Sequence, residues 1–190
     1  MKILELTNVS YRYNDASKDD YVFKNLSYTF EAGKVYAIKG KSGSGKTTLL
    51  SLISGLEKCN EGKIIFDGKD LKEMNLDEYR STHIGVVFQS YNLLPYLTAL
   101  ENVTLAMDIS KEKITNKKDK SLQLMKKVES YANRKILKLS GWEQQRIAIA
   151  RSLSYDAKMI VADEPTGNLD KDTENDIMKI FKKMIINVSL

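Results

Sequence analysis

The run Gly40-Lys41-Ser42-Gly43-Ser44-Gly45-Lys46-Thr47 constrains this chain more than any other feature, because it has the spacing G-x-x-x-x-G-K-[ST] of a loop that wraps phosphate. The apolar run before it, Val35-Tyr36-Ala37-Ile38, reads as a buried strand. The run after it, Thr47-Thr48-Leu49-Leu50-Ser51-Leu52-Ile53, reads as the first turns of a helix whose N-terminus points at the loop. Backbone N–H groups and the helix dipole then face an anion. Glycines at 40, 43 and 45 let the backbone approach it closely, Lys46 can reach the β- and γ-phosphates of a nucleoside triphosphate, and the Thr47 hydroxyl can hold magnesium. Lys41, Ser42, Ser44 and Thr48 complete the candidate phosphate-binding set.

A second acidic site stands far downstream. The run Lys158-Met159-Ile160-Val161-Ala162-Asp163-Glu164 describes a central parallel strand that delivers two carboxylates at its C-terminal edge, where open α/β sheets bind ligands. Asp163 is placed to hold the magnesium shell, and Glu164 to orient an attacking water or accept its proton. Two adjacent acids alone are a weak signal; paired with the loop at 40–47 they become a strong one.

The rest of the chain supplies the frame. Residues 3–11 and 22–30 alternate as an antiparallel strand pair, 62–68 give a short strand and turn, and Ile84-Gly85-Val86-Val87-Phe88 gives a buried strand ending at Gln89. Residues 100–139 are mainly helical and charged, and 143–153 are helix-compatible. With 190 residues the chain is long enough for one well-packed core and short for two full domains. No apolar run approaches the ~20 residues that span a bilayer, and the start lacks a secretory signal, so a cytosolic location is expected. The single cysteine, Cys59, has no partner for an internal disulfide and reads as core filler. The net charge of +5 is concentrated between residues 111 and 138, where Leu122, Leu124, Met125 and Val128 are set among lysines as in an amphipathic helix. That pattern suits a solvated helix face, or proximity to anionic lipid.

Taken together, Gly40 to Thr47, Gln89, Leu139-Ser140-Gly141-Trp142-Glu143-Gln144-Gln145-Arg146, Asp163-Glu164-Pro165 and Asn168-Leu169-Asp170 resemble the nucleotide-binding subunit of an ABC transporter over nearly the whole chain. The stretch from Val87 to Val103, with that from Asp163 to Asp170, resembles the MacB/LolD-like branch, which uses ATP for lipoprotein release or for antimicrobial peptide export and resistance. The resemblance implies an α/β fold: a P-loop NTPase (RecA-like) core at 1–89 and 151–190, an N-terminal antiparallel β portion, and an inserted α-helical subdomain at about 90–150, all in one ATP-binding domain. It implies ATP and Mg2+ as ligands, with Thr47, Gln89 and Asp163 around the metal and Tyr13 stacked on adenine, although a tyrosine there also suits a core. Gln89 would sense the attacking water and pass the nucleotide state to residues 91–100, which touch a membrane permease. Ser140 and Gly141 would face the γ-phosphate bound by a second copy, with Asp170 across the same interface, in a dimer that sandwiches two ATP molecules. Nucleic acid is not an expected partner.

Two departures stand against that pattern. The family has a second glycine after Ser140-Gly141, where this chain has Trp142, whose indole would crowd the dimer interface or turn outward. The family also carries a histidine on a later strand, whereas the only histidine here, His83, precedes the 84–88 strand and reads as structural or exposed. With Leu190 some 20 residues past Asp170, that strand and its γ-phosphate contact are expected to be missing, and ATP binding to survive better than hydrolysis. The alternative class is a nucleotide-binding regulatory module that closes on ATP without turning it over.

Overall fold

A computed structural model describes residues 1–17, 19–111, 113–128, 130–167, 175–177 and 179–181. The N-terminal half is an antiparallel sheet in the order β2-β1-β3-β4, built from β1 (Lys2–Tyr11), β2 (Phe23–Glu31), β3 (Glu61–Phe66) and β4 (Lys69–Asp70). β1 runs in the middle: Leu4 faces Phe30 on one side and Phe66 on the other, and Leu6 faces Tyr28 and Ile64. Its buried residues Ile3, Leu4, Leu6, Val9 and Tyr11 do not keep strict alternation, because both ladders shift register around Asn8. Asn8 has a φ of 49°, and a Cβ on Gly62 would lie 2.3 Å from its carbonyl oxygen. The bulge thus needs glycine opposite it, and it re-aims the end of β1.

Helix α1 (Lys46–Ile53) packs Leu49, Leu52 and Ile53 onto this sheet, together with Tyr79, Ile84 and Val161, in one hydrophobic core. Tyr79 is fully buried beyond a short helical stretch, α2 (Leu76–Glu78), and its hydroxyl donates to the Ile53 carbonyl at 2.8 Å, so the core's largest polar atom is satisfied. Strands β5 (Ile84–Val87) and β6 (Met159–Ala162) form a separate parallel pair. The remaining helices, α3 (Ala99–Ile109), α4 (Lys117–Lys127) and α5 (Gly141–Ser152), enclose a second core of Val103, Met107, Leu124, Met125, Val128, Ile136 and Ile147. α5 also reaches a third cluster through Ala148 and Ile149, beside Val87 and Ile177. A helix apolar on opposite sides is a buried one, and residues 147–150 have no exposure at all.

The strand expected at Val35-Tyr36-Ala37-Ile38 is not one. Residues 34–41 belong to no helix or strand and join no ladder among the described residues, and Val35 and Ile38 are 59% and 38% exposed. The run is held by its aromatic residue: Tyr36 packs edge-on to Phe30 at 5.0 Å, and its hydroxyl accepts from the Glu31 N–H at 3.0 Å. Among the described residues no strand pairs with the run, and the contact with the end of β2 ties it to the sheet.

Candidate functional site

The phosphate-type loop closes on its own lysine. The Lys46 ammonium donates to the carbonyls of Gly40 and Lys41, both at 3.0 Å, and the Ser44 N–H donates to Lys41 O at 3.2 Å. Gly45 is the N-cap of α1 with a φ of 86°, and a Cβ there would lie 2.6 Å from Val22 Cγ1 and 2.8 Å from Phe23 Cζ. Only glycine fits between β2 and the helix head. No side chain caps α1, so the N–H groups of its first turn are left for a ligand, and residues 40–44 and Thr47 are exposed around them.

The parallel register of β5 and β6 brings the acidic site to this loop. Val87 pairs with Ala162, and the Asp163 N–H donates to Val87 O at 2.9 Å, so Gln89, Asp163 and Glu164 all leave the same end of the pair. Thr47 and Asp163 line one cavity of about 30 Å³ with Leu50, Ser51, Val86 and Phe88. That space has room for a water-sized group and is far too small for a nucleotide, which would have to lie over the loop. Glu164 is exposed and has a φ of 43°, in a turn closed by the Gly167 N–H on Glu164 O at 3.0 Å. Left-handed backbone at a non-glycine residue is a feature of functional turns.

Tyr13 stands beside the head of α1, its hydroxyl hydrogen-bonded to Thr48 Oγ1 at 2.8 Å and its ring edge-on to Tyr11 at 5.3 Å. It remains 47% exposed, unlike the buried Tyr11. Ser140 and Gly141 are exposed at the head of α5. Trp142 is half-buried against the third cluster, with the Arg146 guanidinium 4.1 Å over its ring. His83 packs near Phe66 and Tyr79 at the N-terminal end of β5, opposite Gln89. Asp170 lies outside the described residues.

Three residues to which the motifs give no role of their own organise these groups. Glu143 closes a capping box: the Ser140 N–H and hydroxyl both donate to its Oε2 at 2.8 Å, which holds its carboxyl below the usual carboxylate range. Arg151, at the far end of α5, donates to the carbonyls of Tyr91 and Asn92, the left-handed turn that follows Gln89. Asn102 is buried and pairs with both the N–H and the carbonyl of Leu94, fixing the loop between them. The Tyr91 hydroxyl lies 2.9 Å from where a Gly141 Cβ would be, so the turn after Gln89 touches the head of α5. A capping box can be read from Ser140 and Glu143 alone; the Arg151 and Asn102 contacts span a fold and leave no local pattern.

Among the described residues no group of three or more His, Cys, Asp or Glu forms a metal cage, and no helix is long and apolar enough to cross a membrane. Residues 23–167 match the family model described as ABC transporter. The chain is 45% identical over 187 residues to YclH of Bacillus subtilis (strain 168), an uncharacterised ABC transporter ATP-binding protein, covering 97% of this chain and 82% of YclH. A dimeric structure of the ATP-binding cassette MJ0796, bound to ADP and Pi, superposes with a TM-score of 0.86 at 36% identity, covering 96% of this chain and 83% of that chain. The protein MJ0796 itself, from Methanocaldococcus jannaschii, is 39% identical over 191 residues, 96% of this chain and 81% of the relative. A structure of cbiO1 from Clostridium perfringens, part of the ABC transporter complex cbiONQ, superposes at 0.85 with 26% identity over 98% of this chain and 75% of that one. A phosphate-type loop beside paired strand-end carboxylates, a serine-capped α5, a P-loop NTPase fold and this match along most of the sequence agree: the chain belongs to the ABC transporter family, as one of its ATP-binding cassettes.

Proposed function

We propose that this chain binds and hydrolyses ATP to drive a transporter whose membrane permease is a separate chain. The observation that carries the proposal is the β5–β6 register, which sends Gln89, Asp163 and Glu164 out of one sheet end next to Thr47 and the open loop. In this reading the backbone N–H groups of residues 40–48 cradle the β- and γ-phosphates, and the Lys46 ammonium exchanges its two carbonyl partners for phosphate oxygens. Thr47 and Asp163, with Gln89, hold the magnesium ion, for which a hydroxyl and a carboxylate around a small cavity are a suitable donor set. Bound there, the ion neutralises charge on the phosphate oxygens. Glu164 takes a proton from the attacking water while its oxygen bonds to the γ-phosphorus, and the bond to the bridging oxygen breaks to leave ADP and phosphate. Tyr13 lays its ring on adenine.

Ser140 and Gly141 of a second copy contact the γ-phosphate, with Asp170 across the interface, so two chains sandwich two ATP molecules; the likeness to a cassette solved as a dimer supports this. Residues 1–89 and 151–190 are the nucleotide-binding core and 90–150 the helical subdomain, whose segment 91–100 meets the permease. The chain then sits on the cytoplasmic face of the membrane, with no nucleic-acid partner. The run from Val87 to Val103 supports a MacB/LolD-like role in export of peptides, lipoproteins or antimicrobials.

Steady-state ATP turnover, measured beside Glu164→Gln, tests this. We expect the variant to keep ATP binding and to lose turnover by about a hundredfold or more. Equal turnover in both would remove Glu164 from the chemistry, and failure of the wild type to bind ATP would overturn the proposal. One observation favours a second reading, a module that closes on ATP but turns it over poorly: the Glu143 carboxylate already occupies the Ser140 hydroxyl, with Trp142 beside it.

A further inference from the structure

Between residues 111 and 138 the chain has ten Lys or Arg against three Asp or Glu, while its overall net charge is only +5. The rest of the chain is therefore slightly acidic, and the positive field belongs to one part of the molecule. Some of these lysines are neutralised at home: Lys111 pairs with Glu78, Lys117 with Asp108 and Lys120 with Asp156, at 2.8, 2.7 and 3.2 Å. Lys118, Lys126, Lys127, Lys135 and Lys138 are exposed, and none of them pairs with a carboxylate among the described residues.

The apolar residues around them are placed unusually. On α4 the buried side consists of Ser121, Leu124 and Met125, whereas Leu122 is 39% exposed and sits at the i,i+4 spacing between Lys118 and Lys126. The segment that follows α4 joins the loop before α3 through an antiparallel bridge between Lys135 and Thr98. Two residues from each end of that bridge stand Leu137, 72% exposed, and Tyr96, 84% exposed. Tyr131 is exposed too, with the Arg134 guanidinium 4.0 Å from its ring centre. Free lysines interleaved with outward leucines and tyrosines suit a headgroup layer, where ammonium groups meet phosphate while aliphatic stems and rings enter the boundary region. A single-stranded nucleic acid fits less well, because the Tyr131 face on which a base would stack is covered by Arg134.

We propose that the outer side of α4 and residues 131–138 form a contact surface for the anionic headgroups of a lipid bilayer. The proposal rests on the reading that the chain works beside a membrane: Tyr96 belongs to the segment assigned to the permease, and the basic surface borders it. Sedimentation of the full chain with phosphatidylcholine vesicles, with and without phosphatidylglycerol and at low and high salt, tests it. The wild type should bind the phosphatidylglycerol vesicles at low salt and leave them at high salt. A variant carrying Lys118→Gln, Lys126→Gln, Lys127→Gln and Lys138→Gln should bind them on the order of a hundredfold more weakly while its ATP affinity is unchanged. Equal binding to both vesicle types, equal binding by variant and wild type, or preference for DNA at equal phosphate concentration would each overturn the surface. ATP affinity measured on the same samples keeps the two ideas apart, since loss of ATP binding with vesicle binding intact removes the nucleotide reading alone.

Discussion

Glu143 sets a chain-internal bond against a ligand. Its carboxylate accepts from the N–H and hydroxyl of Ser140, the groups the proposed γ-phosphate contact would use, and those hydrogen bonds lower its pKa from the ordinary carboxylate value. The sign follows: its stabilising contribution is complete above the ordinary carboxylate pKa and is lost only as pH falls through the lower, folded value. Glutamine serves a capping box equally well but carries no charge. Glu143→Gln should therefore lower thermal stability at neutral pH only modestly, by about 1 kcal/mol or less, and lower the ATP concentration needed for dimerisation severalfold, read by light scattering in a Glu164→Gln background. Trp142→Gly should act in the same direction; if neither substitution changes ATP-dependent dimer formation or turnover, the second reading fails. At this scale the sequence was most legible where chemistry is local. The loop at 40–47 and the pair Asp163-Glu164 carry their meaning in adjacent positions. Arg151 carries none, because its partners lie about 60 positions away.

At the level of elements, strand β5 is pressed against helix α5. A Cβ on Gly85 would come within 2.3 Å of the Ser152 carbonyl oxygen, which is backbone and cannot rotate away. Gly85→Ala should push β5 off α5, with a loss of roughly 1–3 kcal/mol in chemical denaturation. It should also lower turnover, because Gln89 leaves the end of that strand. The antiparallel pair at 2–31, the separate strands at 84–87 and 159–162 and the helices of 99–152 were legible from the sequence. The pairing of β5 with β6 was not, and β6, expected as a central strand, has only β5 as a ladder partner among the described residues. The run at 35–38 was not legible either, because four apolar residues declare hydrophobicity but not whether a neighbouring strand exists to pair with them.

For the molecule as a whole, the second core and the third cluster meet through α5, and the nucleotide loop is anchored unequally on its two sides. On its C-terminal side α1 is packed into the first core; on its N-terminal side residues 34–41 have no ladder partner among the described residues. Hydrogen exchange should thus be fast across 34–39 and slow across Leu4, Leu6 and Ile64 of the sheet, and protection at 34–39 equal to that of β1 would contradict the arrangement. Helix α5 has twelve residues, so its ends lie about 18 Å apart. One end carries the exposed Ser140, the residue proposed to meet a second copy, and the other grips the turn behind Gln89 through Arg151. Packed into the second core and the third cluster along its middle, such a rod offers a direct route by which a displacement at one end could reach the other. In the proposed ATP-closed dimer the turn after Gln89 and the Ser140 contact would then move together, and damage to the buried middle of that rod should uncouple them while leaving both ends intact.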